Sequence, residues 1–295
     1  MITYKSINDE MKAAYGRKVY RVSLDGGMTC PNRDGKLDTR GCIFCSAGGS
    51  GDFASDRRKS ITEQIEEGKY RIAKKAPKCD AFIAYFQAYT NTYGDIDYLR
   101  SIFTEAINHP KVVVLSIATR PDCLPDEVVA LLAELNSIKP VWVELGLQTI
   151  HEQTADFIRR GYPLSVYDDA VSRLTGVGIK VICHVILGLP GESHEDMLST
   201  VDYVCKSGAW GIKLQLLHVL KGTDLATYCS KHPFHIMSLE EYTDLLVDCL
   251  RLVPDTMVVH RLTGDGPKSL LIEPAWSGDK KRVLNTITRK LREAE

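Results

Sequence analysis

Cys30, Cys42 and Cys45 stand in one glycine-rich stretch, TCPNRDGKLDTRGCIFCSAGGSGDF, with eleven residues in the first gap and two in the second. Thiolates are soft ligands that suit zinc, copper(I) and iron–sulfur clusters. A structural zinc site uses four protein ligands, and no fourth Cys or His lies within about thirty residues of these three. A four-iron cluster on three thiolates keeps one iron open to a cofactor. The spacing is therefore compatible with such a cluster, and also with a zinc site completed by a distant residue.

The composition is that of an ordinary globular chain. The 295 residues are 44% hydrophobic and 25% charged, and the net charge of −1 argues against a protein coated in basic charge. No apolar run approaches the length of a membrane span, and the first residues lack the layout of a secretory signal. The nine cysteines are an odd number, and a chain of this size needs no disulfide staples. We therefore expect a cytoplasmic protein without membrane contact, in which any nucleic-acid contact is a local patch.

Short apolar runs alternate with amphipathic segments along most of the chain. The runs are rich in Val, Ile and Leu, as in parallel strands covered on both faces. Strand, helix and strand repeated about six times predict right-handed βα units and a parallel sheet, open or closed into a barrel. The predicted strands cover residues 18–25, 80–87, 111–118, 140–148, 179–188 and 210–220, and helices are predicted at 125–135, 194–208, 240–252 and, as a basic amphipathic tail, 277–295.

Polar and glycine residues follow each predicted strand. In parallel α/β folds, ligands bind at the carboxyl ends of the strands, so these residues are expected to surround a site. They are residues 25–27, 87–92, 119–122, 144–148, 188–192 and 218–223.

Several motifs together resemble the radical S-adenosylmethionine (SAM) superfamily. The cysteine loop resembles its cluster motif, with Phe44 at the aromatic position before the third cysteine, and the wide first gap resembles the branch that contains the catalytic subunit of Elongator. ELGLQT and VILGLPGES resemble motifs of Elongator and coproporphyrinogen-oxidase-like relatives. A closer resemblance, to the YhcC/YtqA (MnmL)-type family, is carried by SLDGGMTCPNRDG, GCIFCSAGGSGDF, YFQAYTNTY, TRPDCL, ELGLQT and RLTGDGP.

The resemblance implies an α/β fold, a partial (β/α)6 TIM-like barrel of the radical SAM type. It covers roughly residues 18–260, which form the expected radical SAM core. Residues 1–17 are then an N-terminal extension, and residues 261–295 are a C-terminal extension that ends in a basic helix. Because little chain follows residue 260, we expect neither the acetyltransferase domain of Elongator nor acetyl transfer.

The resemblance also implies two cofactors and their contacts. Cys30, Cys42 and Cys45 would hold a [4Fe–4S] cluster, and SAM would chelate its open iron through the amino and carboxylate groups. The remaining candidate contacts are Phe44 beside the cluster, Gln87, Thr90 and Asn91 for the SAM amino group, Ser116, Thr119, Glu144, Gln148 and His184 for the ribose or methionine, and the backbone from Ile186 to Gly188 for the adenine.

The activity that the resemblance implies is reductive cleavage of SAM to a 5′-deoxyadenosyl radical. The implied substrate is tRNA, in which the carboxymethylaminomethyl-type C5 side chain of wobble uridine 34 is converted to aminomethyl before a separate methyltransferase acts. A flavodoxin- or ferredoxin-type electron donor is implied as a partner. One alternative is a radical SAM enzyme that acts on a small molecule, for example by a porphyrin-like decarboxylation. Another is a non-catalytic iron–sulfur or haem carrier.

Three other features of the sequence allow more than one interpretation. Cys229, His232 and His235 are a candidate auxiliary metal site, but Pro233 interrupts any helix that would align them, which favours a surface loop. The basic residues of the tail either contact phosphates or form a solvated helix face. Three further cysteines lie on apolar stripes and are interpreted as small core residues: Cys183, Cys205 and Cys249.

Overall fold

A parallel β-sheet forms the centre of the protein, whose computed structural model describes residues 2–49, 51–52, 54–264 and 266–294. The sheet has the strand order β1–β9–β7–β6–β5–β4–β3–β2, and β8 and β10 form a separate antiparallel pair. The strands are β1 (Lys5–Ser6), β2 (Tyr20–Leu24), β3 (Phe82–Phe86), β4 (Val112–Thr119), β5 (Val141–Gln148), β6 (Lys180–Leu187), β7 (Gly211–Leu216), β8 (Val219–Leu220), β9 (Val258–Arg261) and β10 (Leu271–Glu273).

Helices connect the strands, and serine capping boxes fix where four of them begin. Ser6, Ser60, Ser193 and Ser238 each accept a hydrogen bond from the backbone N–H three residues on, where an acidic side chain bonds back. The helices are α1 (Ile7–Tyr15), α2 (Ile61–Ala73), α3 (Ile96–Asn108), α4 (Asp126–Asn136), α5 (Glu152–Phe157), α6 (Leu164–Gly176), α7 (His194–Lys206), α8 (Asp224–Lys231), α9 (Leu239–Leu252) and α10 (Lys280–Glu293). Short 3-10 turns cover Pro121–Cys123 and Ala275–Gly278.

The sheet curls until side chains from its two ends meet. Arg21 lies on β2 at one edge, and its Nη2 lies 2.8 Å from Nδ1 of His260 on β9, next to the opposite edge. Six strand spacings separate these strands, which would be roughly 30 Å in a flat sheet. Lys213 on β7 likewise donates to the hydroxyl of Tyr85 on β3 at 3.3 Å. The predicted α/β partial barrel is therefore confirmed.

Two apolar layers enclose the sheet. Outside, the leucine stripes of α4 and α9 pack on the strands, with Leu132 and Leu246 fully buried. Inside, Ile83, Trp142 and Ile182 belong to a separate buried cluster at the amino-terminal end of the barrel. This cluster is called the apolar floor of the barrel. Because side chains two residues apart on a strand share a face, Glu144 and His184 lie directly above Trp142 and Ile182 of this floor.

The strand predicted over residues 210–220 is wrong as a single element. β7 ends at Leu216, and β8 leaves the sheet to pair antiparallel with β10. The two strands β9 and β1 were not predicted, because four and two residues are too short to show a periodic pattern. In the described part of the chain, no helix is both long and apolar enough to cross a membrane.

Candidate active site

One cavity of about 260 Å³ opens at the carboxyl ends of the parallel strands. This is the edge at which the strand-end residues predicted a site. Most of the side chains singled out from the sequence line its wall, namely Cys30, Cys42, Phe44, Cys45, Gln87, Thr90, Thr119, Glu144, Gln148, His184 and Ile186.

Three of the predicted contacts do not belong to the residues that line this cavity. The amide of Asn91 is fully buried and donates to two backbone carbonyls at 3.1 and 2.8 Å, which ties the end of β3 to β4. Ser116 is buried below the wall and donates to Oε1 of Glu144 at 2.9 Å. Gly188 turns the chain with a φ of 90° after β6. In this structure Asn91 and Ser116 therefore bond to groups behind the cavity wall, and Gly188 forms a turn.

Backbone hydrogen bonds and one arginine shape the cysteine loop. The N–H of Cys45 donates to the carbonyl of Cys42 at 3.0 Å, so this pair forms a tight turn. Nη2 of Arg33 donates to the carbonyls of Cys45 and Ser46 at 3.0 and 2.7 Å. Gly41 has a φ of 79°, and a Cβ there would lie 2.8 Å from Nε of Arg33. The glycine before the second cysteine therefore lets the guanidinium reach across the loop.

Burial controls the protonation of two of the three thiols. It raises the pKa of Cys42 to about 11, with the nearby Cys45 thiol acting in the same direction. It also raises the pKa of Cys45, against the opposing charge of Arg33. Both thiols are therefore protonated at neutral pH without metal, and binding iron would release their protons.

The chemistry of the three thiols is that of iron–sulfur ligands, since thiolates are soft donors. Among the described residues, no three His, Cys, Asp or Glu side chains converge on a point that one metal ion could occupy. In a four-iron cluster each thiolate binds a different iron, and these three thiols line one cavity. Cys30, Cys42 and Cys45 thus fit a [4Fe–4S] cluster.

Gln148 brings a polar atom without a partner to the cavity wall. Its φ of 71° lies in the left-handed region, which is costly for a residue with a side chain, and the pairing of β5 with β6 shifts register just before it. Its Oε1 is buried and has no hydrogen-bond partner within the described structure. Since a buried amide oxygen without a partner is destabilising, a donor group on a bound ligand would satisfy it.

A layer of buried charges lies between the cysteine loop and the apolar floor, with Glu144 at its centre. His184 donates from Nε2 to Oε2 of Glu144 at 2.8 Å, and Lys213 donates to the same oxygen. Nη2 of Arg21 lies 3.6 Å from Oε1, and that oxygen also accepts the hydroxyl of Ser116. These side chains, together with the neighbouring Tyr85, His260 and Arg261, form the charged layer.

The charges in this layer shift one another's protonation. Burial disfavours the ionised form of Glu144, but Lys213 and Arg21 hold its pKa well below the usual value. Burial lowers the pKa of His184 to about 4, and Lys213 acts in the same direction. Burial also raises the pKa of Tyr85 well above its usual value. At neutral pH the layer therefore contains an ionised carboxylate, a neutral imidazole and a neutral phenol.

Sequence reasoning missed several members of the charged layer. Arg21, Tyr85, Lys213, His260 and Arg261 were not proposed as site residues, although three of them line the cavity. A signal existed, since Lys213 is a lysine in the middle of an apolar strand. Charged residues are rarely buried unless they are paired, so this position pointed to a partner inside the barrel.

The candidate auxiliary metal site at Cys229, His232 and His235 is not formed, because these side chains have separate partners. Cys229 lies within α8, and His232 ends that helix with its ring 5.0 Å from the ring of Tyr228. Nε2 of His235 lies 3.1 Å from a carboxylate oxygen of Glu241 instead.

The interpretation of three other cysteines as core residues is confirmed. Cys183 and Cys249 are buried in the main core, and Cys205 packs against it.

A curled parallel sheet with a three-cysteine loop above its carboxyl-terminal edge is the architecture of enzymes that generate radicals from SAM. The family description "Radical SAM superfamily" matches residues 39–204, and "Radical_SAM C-terminal domain" matches residues 209–293. The chain belongs to the radical SAM superfamily.

Relatives of similar length extend over nearly the whole chain. The chain is 46% identical over 288 residues to the uncharacterized protein YtqA of Bacillus subtilis, covering 98% of this chain and 89% of that one. It is 35% identical over 285 residues to protein YhcC of Escherichia coli, covering 96% of this chain and 91% of that one. The resemblance to the YhcC/YtqA-type family is therefore confirmed.

More distant similarity reaches larger proteins. The Elp3 structure from Methanocaldococcus infernus superimposes with a TM-score of 0.68 at 18% identity, covering 92% of this chain and 63% of that one, and it shows the shared fold. A tRNA uridine(34) acetyltransferase of Methanocaldococcus jannaschii is 24% identical over 186 residues, which are 62% of this chain and 33% of that protein.

Proposed function

We propose that this protein binds a [4Fe–4S] cluster at Cys30, Cys42 and Cys45 and cleaves SAM in the adjoining cavity. The observation that carries this proposal is that three thiols of one loop line the same cavity as the polar residues at the ends of β3 to β6. When bound and reduced, such a cluster would supply the electron that splits SAM into methionine and a 5′-deoxyadenosyl radical, and this radical would remove a hydrogen atom from the substrate.

The chain's own residues have separate tasks in this proposal. Arg33 holds the backbone of the cysteine loop through two carbonyls, and Gln148 offers its unsatisfied Oε1 to a SAM hydroxyl or amino group. Thr90 and Thr119 place hydroxyl groups on the same wall. The apolar floor closes the barrel below, which protects a radical from water and stray hydrogen donors.

We further propose that the substrate is tRNA, and that the carboxymethylaminomethyl group at C5 of wobble uridine 34 becomes aminomethyl. The likeness to a relative named as a tRNA uridine(34) acetyltransferase supports this choice. So does α10, which carries six basic residues and one acidic residue and exposes Lys280, Lys281 and Arg282 at its start. Exposed lysines and arginines attract phosphates.

The proposed conversion balances as follows. The carboxymethyl carbon would lose a hydrogen atom to the 5′-deoxyadenosyl radical and then one electron to an acceptor of the flavodoxin or ferredoxin class, while the adjoining nitrogen would release a proton to water. Water adds to the resulting C=N bond, the C–N bond breaks, and the products are aminomethyluridine and glyoxylate. The electron given up matches the electron that reduced the cluster, and a separate methyltransferase would act on the free amine.

The SAM-cleavage proposal is tested by replacing all three cysteines with alanine. After anaerobic reconstitution, the wild-type protein should bind about four irons per chain and form 5′-deoxyadenosine when it is reduced with SAM. The triple variant should do neither. Cys79→Ala is the matched control, because this thiol is partly buried and is not part of the cavity wall. Unchanged iron content and SAM cleavage in the triple variant would refute the proposal.

The substrate proposal is tested by nucleoside mass spectrometry of tRNA. A deletion strain should accumulate carboxymethylaminomethyluridine and lose the aminomethyl form and its methylated product. Wild-type protein should restore the profile, and the triple cysteine variant should not. An unchanged wobble-uridine profile in the deletion strain would reject tRNA position 34 as the substrate.

A further inference from the structure

Asn32 is a buried side chain of the cysteine loop to which the proposed function gives no task. It is only 2% exposed, so its amide needs partners inside the protein. Its backbone carbonyl accepts the N–H of Gly41 at 2.6 Å, and these two residues lie near the start and at the end of the long gap between Cys30 and Cys42. The gap is therefore closed at its base, and this closure brings Asn32 next to the second cysteine.

One neighbour fixes the direction in which the Asn32 amide faces. Nδ2 of Asn32 lies 2.7 Å from the carbonyl oxygen of Arg159. A carbonyl oxygen only accepts hydrogen bonds, so the nitrogen of the amide and not its oxygen must face it. Arg159 has a φ of 58°, in the left-handed region, and its Nη2 donates at 2.6 Å to Asp224 at the start of α8. The carbonyl that orients Asn32 is thus itself held by the fold.

The second N–H of the Asn32 amide is directed at the sulfur of Cys42. Nδ2 lies 3.4 Å from Sγ, and hydrogen bonds to sulfur are longer than those to oxygen. A side-chain amide nitrogen carries two hydrogens, so it can donate to both acceptors at once. A cysteine sulfur that binds iron carries no proton, so it can accept from Asn32 but cannot donate to the carbonyl of Arg159, 3.7 Å away. Asn32 is therefore a neutral, oriented donor to one of the three candidate ligands.

The hydrogen bond from Asn32 to Cys42 has a definite electrostatic effect on a bound cluster. Hydrogen bonds to the sulfurs are one of the means by which a protein sets the reduction potential of an iron–sulfur cluster. The reduced cluster carries one more negative charge than the oxidised cluster, so an N–H that points at a sulfur stabilises the reduced form more. Loss of the donor would therefore lower the potential. Arg33 lies beside the same loop, but it is unchanged when Asn32 is replaced, so its effect cancels in the comparison.

We propose that Asn32 is a positioning residue that raises the reduction potential of the [4Fe–4S] cluster through its hydrogen bond to Cys42. This inference rests on the proposed function, because it needs a cluster bound at the three cysteines. Asn32 does not belong to the residues that line the cavity, so it acts through Cys42 and not on SAM. Its effect is that the cluster takes up one electron more readily from a donor of the flavodoxin or ferredoxin class.

The experiment is a redox titration of the reconstituted full-length protein without SAM, monitored by the EPR signal of the reduced cluster. Leucine has nearly the size of asparagine but carries no donor, so Asn32→Leu removes the N–H···S bond. At the wild-type midpoint potential, we expect the ratio of reduced to oxidised cluster to fall roughly three- to tenfold. A tenfold change in a one-electron couple corresponds to about 59 mV, so the midpoint potential should fall by about 30 to 60 mV.

Asn136→Leu is the matched control. Asn136 also donates a side-chain N–H to a backbone carbonyl, that of Gly178 at 3.3 Å, but it lies at the end of α4, next to the amino-terminal end of β5. This variant should leave the midpoint potential unchanged. An Asn32→Leu protein that binds about four irons per chain and keeps the wild-type midpoint would overturn the inference. An equal shift in the Asn136→Leu protein would do the same.

A second measurement decides the question even if the Asn32→Leu protein binds no cluster. Wild-type protein is labelled with ¹⁵N in the side-chain amides of asparagine, and its reduced cluster is studied by pulsed EPR. We expect a ¹⁵N hyperfine coupling, because an N–H···S bond transfers spin density to the nitrogen. A cluster-bearing wild-type protein without this coupling would overturn the inference and leave the proposed function intact, whereas a wild-type protein that binds no iron would overturn both.

Discussion

Acid should destabilise the folded protein through His184, and the size of the effect follows from the surroundings of this side chain. Burial, with Lys213 acting in the same direction, lowers its pKa to about 4, although the hydrogen bond to Glu144 opposes the shift. In the unfolded chain the pKa of a histidine is about 6.5. Between these two values the unfolded state binds more protons, so the free energy of unfolding falls as the pH decreases through this window. Below about pH 4 this group causes no further loss.

The magnitude is a difference of about 2.5 pKa units at about 1.4 kcal/mol per unit, or about 3 kcal/mol in total. Between pH 7.5 and pH 5.0, integration over the titration curve gives about 2 kcal/mol. Urea denaturation of the metal-free full-length protein at these two pH values measures the loss. His184→Gln should lose about 2 kcal/mol less than wild type over the same interval, since its amide can still donate to Glu144 and does not titrate.

Two comparisons make this result decisive. His260 also has a lowered pKa, mainly because of burial, and it is present in both proteins, so most of its contribution cancels in the difference. His235→Gln is the control, because this histidine is exposed and pairs with a surface glutamate. If His184→Gln and wild type lost the same free energy of unfolding between pH 7.5 and 5.0, the reasoning about the charged layer would be wrong.

Two further predictions concern stability at neutral pH, measured by urea denaturation. Glu144→Gln leaves Lys213 and Arg21 without their buried anion and should lower the free energy of unfolding by about 3–5 kcal/mol; a loss below about 1 kcal/mol would contradict this. Gly68→Ala places a Cβ 2.3 Å from Cγ1 of Val22, where α2 meets β2, and should cost about 1–3 kcal/mol. Gly176→Ala is the control: nothing lies within 4 Å of its new Cβ, so it should be neutral or stabilising by up to about 1 kcal/mol. An equal loss of stability in both glycine variants would show that the contact with Val22 is not the cause.

The sequence predicted most of the sheet because its strands are long and apolar. The runs now seen as β3 to β6 lie within or one residue beyond the predicted ranges, and α4, α7 and α9 follow their apolar stripes. Hydrophobic periodicity is a local signal, so it is readable wherever an element spans several residues. β1 and β9 escaped prediction because they are short, and their pairing depends on residues far apart in the chain.

The candidate site shows the same division. The cysteine loop is visible in the sequence because its spacing is local, and the strand-end rule located most of the cavity wall. Asn91 and Ser116 were predicted as ligand contacts, but the structure directs their side chains to backbone carbonyls and to Glu144. A residue's place at a strand end does not determine whether its side chain faces the cavity or braces the strands.

By itself, the sequence determined that this chain is a parallel α/β protein of the radical SAM superfamily with three cysteines in one loop. Spacing and periodicity encode these properties within short segments. Only the tertiary structure decided that Arg21, Tyr85, Glu144 and Lys213, which come from four different strands, share one buried layer. The curl of the sheet brings them together, and the low dielectric of the interior makes their charges interact strongly.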